Sequence, residues 1–143
     1  MFAKISAALV IATALSGAAS AATVEVEMLN KGKEGTMVFK PSFVHIQPGD
    51  TVKFIAADKG HNAEAIEGLI PEGAEPFAGK INEEIEITPE VPGIYGVKCK
   101  PHFAMGMVMT IAVGEDVDVP ADYLERRLPP KARDRLEEAL SNL

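Results

Sequence analysis

The chain of 143 residues has one cysteine, no tryptophan, three histidines and only 6% aromatic residues. A single cysteine excludes an internal disulfide, zinc sites built on several thiolates, and a covalently attached c-type haem, which needs a pair. Positive charge is also scarce. There are 14 Lys and Arg against 21 Asp and Glu, a formal net charge of −7. That balance argues against a nucleic-acid partner held by phosphate neutralisation. Beyond the first residues there is no apolar run long enough to cross ~30 Å of hydrocarbon, so no membrane insertion of the body is expected. No internal repeat or low-complexity tract is present. What remains is ordinary for a globular chain: 47% hydrophobic and 24% charged residues exclude wholesale disorder. The length fits one domain.

The start of the chain has its own pattern. Lys4 is followed by an apolar run from Ile5 to Leu15, then Ser16, Gly17 and a small-x-small end, Ala19-Ser20-Ala21. A charged start, a greasy centre and such an end describe a cleaved secretory signal rather than an anchor. Residues 1–21 are therefore expected to be removed. Residues 22–143 are expected to form a single soluble domain, monomeric and outside the cytoplasm, in the periplasm of a cell with two membranes. Exported chains usually pair their cysteines or lack them. A lone thiol there needs a reason, and metal ligation supplies one.

The body reads as short strands between turn signals. Thr23–Asn30 alternates Val24, Val26 and Met28 against Glu25 and Glu27, the period of a half-buried strand. Further strands are expected over Met37–Phe39, Phe43–Gln47, Asp50–Ala57, Ile81–Thr88, Ile94–Cys99 and Met107–Val113. Pro48-Gly49-Asp50 and Val91-Pro92-Gly93 mark turns. Asp58 to Lys80 is a long irregular stretch rich in Gly and Pro. Many short strands with this punctuation indicate an all-β sandwich. In the tail, Pro120 and Pro129-Pro130 precede helix-forming residues. Two short helices are expected in residues 120–143, Ala121–Arg127 and Lys131–Asn142.

The chemically informative window is Cys99-Lys100-Pro101-His102-Phe103-Ala104-Met105-Gly106-Met107, which leaves one strand and enters the next. Upstream, Gly60-His61-Asn62 follows another strand end. The sandwich can thus bring a thiolate, two imidazoles and a thioether to one end. Soft sulfur with imidazole, and no carboxylate nearby, suits copper. Three strong ligands in a plane with a weak axial thioether describe a blue-copper electron-transfer centre. Met105 and Met107 compete for the axial place, and Met107 begins the last strand. Cys99 alone would read as a small buried hydrophobe, and His45, within a strand, as a structural or surface residue. Met28 and Met109 read as core.

With these residues in place the chain resembles the cupredoxins, the type 1 blue copper proteins, and is most similar to their pseudoazurin branch. The resemblance rests on Cys99-x-x-His102-x-x-x-x-Met107, Gly60-His61-Asn62, Asn30-Lys31-Gly32 before Met37-Val38-Phe39, Ile70-Pro71-Glu72-Gly73-Ala74-Glu75, and the helical tail. It implies a Greek-key β-sandwich of about eight strands in two sheets, with a short two-helix C-terminal tail. It implies one copper ion per chain, held by His61, Cys99, His102 and Met107, and no enzymatic activity. The implied role is a mobile carrier cycling Cu(II)/Cu(I). Its partners would be acidic periplasmic redox proteins, foremost a copper-containing nitrite reductase of denitrification.

Docking is expected through Lys31, Lys59, Lys98 and Lys100 around an apolar rim of Met37, Pro101, Phe103, Ala104 and Met105 at His102. Against a solvated charged surface, their clustering near the ligand segments favours a steering ring. Asn62 is expected to pin the Cys99–His102 loop. Two rival functions are weaker. Copper storage or delivery usually uses more numerous or more exposed sulfur ligands. A cysteine nucleophile would need an orienting third residue and an oxyanion donor.

Overall fold

A computed structural model describes residues 19–143. Most of the expected secretory segment, residues 1–18, lies outside the described residues, and Ala19, Ser20 and Ala21 are exposed. Ala22 is tied to the domain by two hydrogen bonds. Its N–H donates to Asp50 Oδ1 (2.8 Å) and its carbonyl accepts from the Thr51 N–H (2.8 Å). Asp50 also accepts from the Gln47 N–H at 2.9 Å. The donors from Ala22 and Gln47 hold the Asp50 carboxyl below the usual carboxylate range.

Eight strands follow: β1 Thr23–Gly32, β2 Gly35–Lys40, β3 Phe43–Ile46, β4 Thr51–Ile55, β5 Glu64–Ala65, β6 Ile85–Ile87, β7 Gly93–Lys98 and β8 Val108–Val113. They form two four-stranded sheets, ordered β2-β1-β4-β6 and β3-β8-β7-β5. β1 runs parallel to β4, and β3 parallel to β8; the other neighbours are antiparallel. Alternation along β1 and β4 puts Val26, Met28, Val52 and Phe54 inside, all fully buried. They meet Val97, Met109 and Ile111 of the facing sheet, and Phe39 packs edge-on against Phe54 at 6.0 Å.

β8 is buried along its whole length, which explains a strand with no polar face. Met109, Ile111 and Val113 point into the sandwich. Val108 and Ala112 point outward, onto a second cluster with Leu69, Tyr123, Ala132 and Leu136. That cluster exists because the tail helix α1, Pro130–Leu140, lies over the sheet. Pro130 starts α1 because its missing N–H costs nothing in a first helical turn.

The other expected tail helix, over Ala121–Arg127, is instead a pair of turns closed by Tyr123 N–H to the Pro120 carbonyl and Glu125 N–H to the Asp122 carbonyl. Two turns are too short to hold a helix by themselves. Here packing chooses another shape: Tyr123 is buried and its hydroxyl donates to the Leu69 carbonyl at 3.1 Å. Pro129 and Pro130 also force the residues before them toward extended backbone.

β1 and β4 run in the same direction, so their C-terminal ends lie at one end of the molecule. The chain leaving β4 returns as β5 to pair with the end of β7, Glu64 opposite Lys98. Segments after β1, β4 and β7 therefore converge, and this convergence positions the site.

Candidate metal centre

Cys99 is the first residue beyond β7, and the strand's alternation turns it fully inward while Lys98 points out. The chain then coils into a 3-10 helix, Lys100–Met105, with Pro101 in its first turn. At His102 the backbone departs from helical values (φ −118°, ψ 18°). Gly106 takes a left-handed φ of 85°, which lets the chain reverse into β8. The loop closes on itself: His102 N–H donates to the Cys99 carbonyl (3.2 Å), Met107 N–H to the His102 carbonyl (3.1 Å), and Cys99 N–H to the Met107 carbonyl (3.0 Å). His61 arrives from the β4–β5 connection and is fully buried, whereas His102 keeps a partly exposed edge.

Among the described residues, His61, Cys99 and His102 place one donor atom each within 4.8 Å of the others. Cys99 Sγ stands 3.7 Å from His61 Nδ1 and 3.5 Å from His102 Nδ1, and the two Nδ1 atoms are 3.2 Å apart. A point equidistant from all three lies about 2 Å from each, the length of a bond from a transition metal to nitrogen or sulfur. The spacing therefore fits one metal ion. The chemistry of the donors, one thiolate with two imidazoles, fits copper.

Hydrogen bonds orient the donors. His61 Nε2 lies 2.8 Å from Asn30 Oδ1, a carbonyl oxygen that can only accept. The ring proton therefore sits on Nε2, and the Nδ1 lone pair faces the triangle. Burial pushes the His61 pKa down, helped by the nearby His102 charge and opposed by Asp58. Burial likewise pushes the Cys99 thiol up, and Glu64 adds to this, while the backbone N–H groups of Asn62 and His102 pull it down. A cation in the triangle reverses that balance, because a coordinating thiol loses its proton.

Asn62, 3% exposed, ties the two ligand segments together. Its Oδ1 accepts from the Lys100 N–H at 2.7 Å. Its Nδ2 donates to Glu64 Oε2 and to the Gly79 carbonyl, both at 3.0 Å. The expected pinning of the loop is thus present, and Glu64 extends it. Glu64 pairs with Lys98 at 3.5 Å, and the Lys98 ammonium sits 4.9 Å over the Phe103 ring. Lys98 is therefore half-buried and engaged with the loop, unlike the exposed Lys31, Lys59 and Lys100.

Met107 is fully buried in the same core cluster as Cys99, while Met105 is 41% exposed. Met37 is half-buried against that cluster. Met28 and Met109 are core residues. His45 is exposed, with Nε2 hydrogen-bonded to the Gly114 carbonyl. Asn30 and Glu64 were not singled out from the sequence for these contacts. For Asn30 a signal existed in the Asn30-Lys31-Gly32 stretch beside the first strand; for Glu64 there was none.

Comparison with known proteins agrees with this geometry. Residues 26–114 match the family model described as copper binding proteins, plastocyanin/azurin family. The chain is 48% identical over 130 residues to the pseudoazurin of Paracoccus pantotrophus, spanning 91% of this chain and 90% of that one. It is 45% identical over 112 residues to the pseudoazurin of Methylorubrum extorquens, spanning 78% of this chain and 76% of that one. Among solved structures, Methylobacterium extorquens pseudoazurin superposes with a TM-score of 0.79 at 38% identity, covering 84% of this chain and 98% of that one. Native pseudoazurin from Hyphomicrobium denitrificans gives 0.77 at 40% identity, covering 85% and 98%. With sequence, fold and donor triangle in agreement, the chain belongs to the plastocyanin/azurin family of copper-binding proteins, the cupredoxins, on its pseudoazurin branch.

Proposed function

We propose that the protein is a mobile single-electron carrier, exported to the periplasm, whose one copper ion is held by His61, Cys99, His102 and Met107. The observation that carries this reading is the closed triangle of one sulfur and two nitrogens at bonding distance from a common centre. A copper ion there supplies a site that accepts and returns one electron. The chain's own residues do the rest. The self-closed loop and the Asn62 bonds fix the donors, so little need move when the charge changes. Burial of His61, Cys99 and Met107 keeps water from the centre. The partly exposed His102 edge, on a loop that also exposes Pro101, Ala104 and Met105, offers the electron a short way out.

Lys31, Lys59 and Lys100 are exposed, lie close to the ligand segments in sequence, and would steer an acidic redox partner toward this edge. A copper-containing nitrite reductase fits that description. The contact would be small and short-lived, as carriers require.

Metal-free protein titrated with Cu(II) should bind one equivalent and turn intensely coloured. Cys99→Ser should bind copper without that colour while keeping the far-UV signature of the fold, because a hydroxyl cannot supply the sulfur-to-copper charge transfer. Retained colour in the Ser variant would overturn the ligand assignment. Electron delivery from the reduced protein to a copper nitrite reductase should slow as salt rises. A rate indifferent to salt would overturn the acidic partner.

A further inference from the structure

A single side chain of the tail helix reaches the end of the metal loop. Arg135 lies midway along α1, half-buried. Its Nη1 donates to the Gly106 carbonyl and to the Met37 carbonyl, each at 2.8 Å, and its Nη2 donates to the Thr36 carbonyl at 3.0 Å. One charged, planar group thus joins three segments far apart in sequence: α1, β2 and the loop that enters β8. Hydrogen bonds from a charged donor are about twice as strong as neutral ones.

The bond to Gly106 matters because of where that carbonyl sits. The Gly106 C=O and the Met107 N–H belong to one rigid peptide plane. Arg135 holds the oxygen side of the plane. The other side is held by the Met107 N–H bonded to the His102 carbonyl at 3.1 Å. The plane that links His102 to Met107 is therefore clamped at both edges. The fit is close: a Cβ on Gly106 would meet the Lys131 backbone carbonyl at 3.0–3.1 Å, so α1 packs directly on this turn. The Met37 carbonyl is presented by a left-handed backbone, φ 54°, rare for a non-glycine residue. A Cβ on Gly35 would lie 3.2 Å from Arg135 Nη2.

We infer that Arg135 is a positioning residue for the metal centre, through which the tail helix fixes the backbone that carries Met107 and braces His102. The inference rests on the copper reading only for its effect on the metal. The bracing of the loop stands on the hydrogen bonds alone.

Arg133 provides the matched control. It also anchors the tail, with Nη2 donating to the Arg126 carbonyl at 2.7 Å, but it makes no bond to the loop. Amide hydrogen exchange on the metal-free protein should show Gly106 and Met107 exchanging at least tenfold faster in Arg135→Ala, relative to Ile111 in β8. Arg133→Ala should keep that ratio at the parent value. Loaded with copper, Arg135→Ala should change the ratio of the visible absorption bands and displace the reduction potential. Arg135→Lys, which keeps the charge but not the fork, should be folded and intermediate. Arg133→Ala should match the parent in both.

Parent-like exchange at Gly106 and Met107 in both Arg135 variants would overturn the inference. So would identical spectral changes in Arg133→Ala, since a merely structural tail contact would then suffice. Failure of the parent to bind copper would overturn the copper reading instead, and the exchange result would still decide the bracing.

Discussion

Replacing Asn62 by Leu tests how the ligand loop is held, because the two side chains are similar in size and differ in hydrogen bonding. The change leaves the Lys100 N–H and the Gly79 carbonyl without partners. Each such group, if buried, costs about 1–3 kcal/mol. Glu64 loses a donor as well, but it keeps Lys98 at 3.5 Å and adds little. With the loop close to the surface, the lower part of the range applies, and we expect a total of about 3 kcal/mol. For a domain of this size urea m-values are about 2 kcal/mol/M, so the unfolding midpoint of the metal-free protein should fall by about 1.5 M with the slope unchanged. The copper protein should report the same change differently. The Asn62 N–H donates toward the Cys99 sulfur, and that donor favours the more electron-rich reduced form. Loosening it should lower the reduction potential. A midpoint loss below about 0.25 M, or a potential that rises, would refute the view that Asn62 holds the loop and its sulfur donor in place.

On the proposed ligand set, Met107→Leu removes a donor to oxidised copper and should raise the reduction potential and alter the visible spectrum. Met105→Leu, at an exposed position, should leave both nearly unchanged, and voltammetry of the two variants separates them. Lys59→Ala and Lys100→Ala should slow electron delivery to an acidic partner at low salt, with the deficit shrinking as salt screens the charges. Lys98→Ala should show a smaller salt-sensitive deficit than either, since its charge already faces Glu64; stopped-flow rates across ionic strength rank the three. Asp50 has a depressed pKa in the fold, so its stabilisation is present above its unfolded pKa and fades as pH falls through the folded one. Asp50→Asn should therefore be less stable than the parent at neutral pH, with the gap closing in acid; a gap that persists in acid would contradict the assignment.

The elements legible in the sequence were those whose periodicity a packed face imposes. Val24, Val26 and Met28 alternate because one side of β1 is dry, and the same logic found β4 and β7; β8 was legible instead as a short apolar run, buried on both faces. β5 was not legible, because two residues, Glu64 and Ala65, carry no period. Its pairing is imposed by β7. The first tail helix failed because a buried Tyr123 and two prolines outweighed the local preference of seven residues. At the site, residue types and loop placement sufficed to predict that His61, Cys99 and His102 come together, since chemistry restricts what such a cluster can be. The supports did not follow from chemistry. Glu64 and Arg135 look like ordinary surface charges in the sequence, and Lys98 reads there as a docking lysine rather than as a partner of Glu64 and Phe103. Their roles come from contacts across the fold; Arg135 and Met37 are 98 residues apart.

A donor triangle already standing at bonding distance cannot choose its ion by size. Zinc bonds to imidazole and thiolate at about 2.0–2.3 Å and accepts four such ligands, so it would enter the same place with little rearrangement. The ordering of divalent affinities favours copper over zinc, but only where both are on offer. A zinc-filled chain would be folded, colourless and unable to pass an electron. The rigidity that spares the carrier from rearranging at each turnover therefore leaves the choice of metal to supply. The working fraction of the protein in a cell is set by which ion meets the folded chain first and how slowly it leaves.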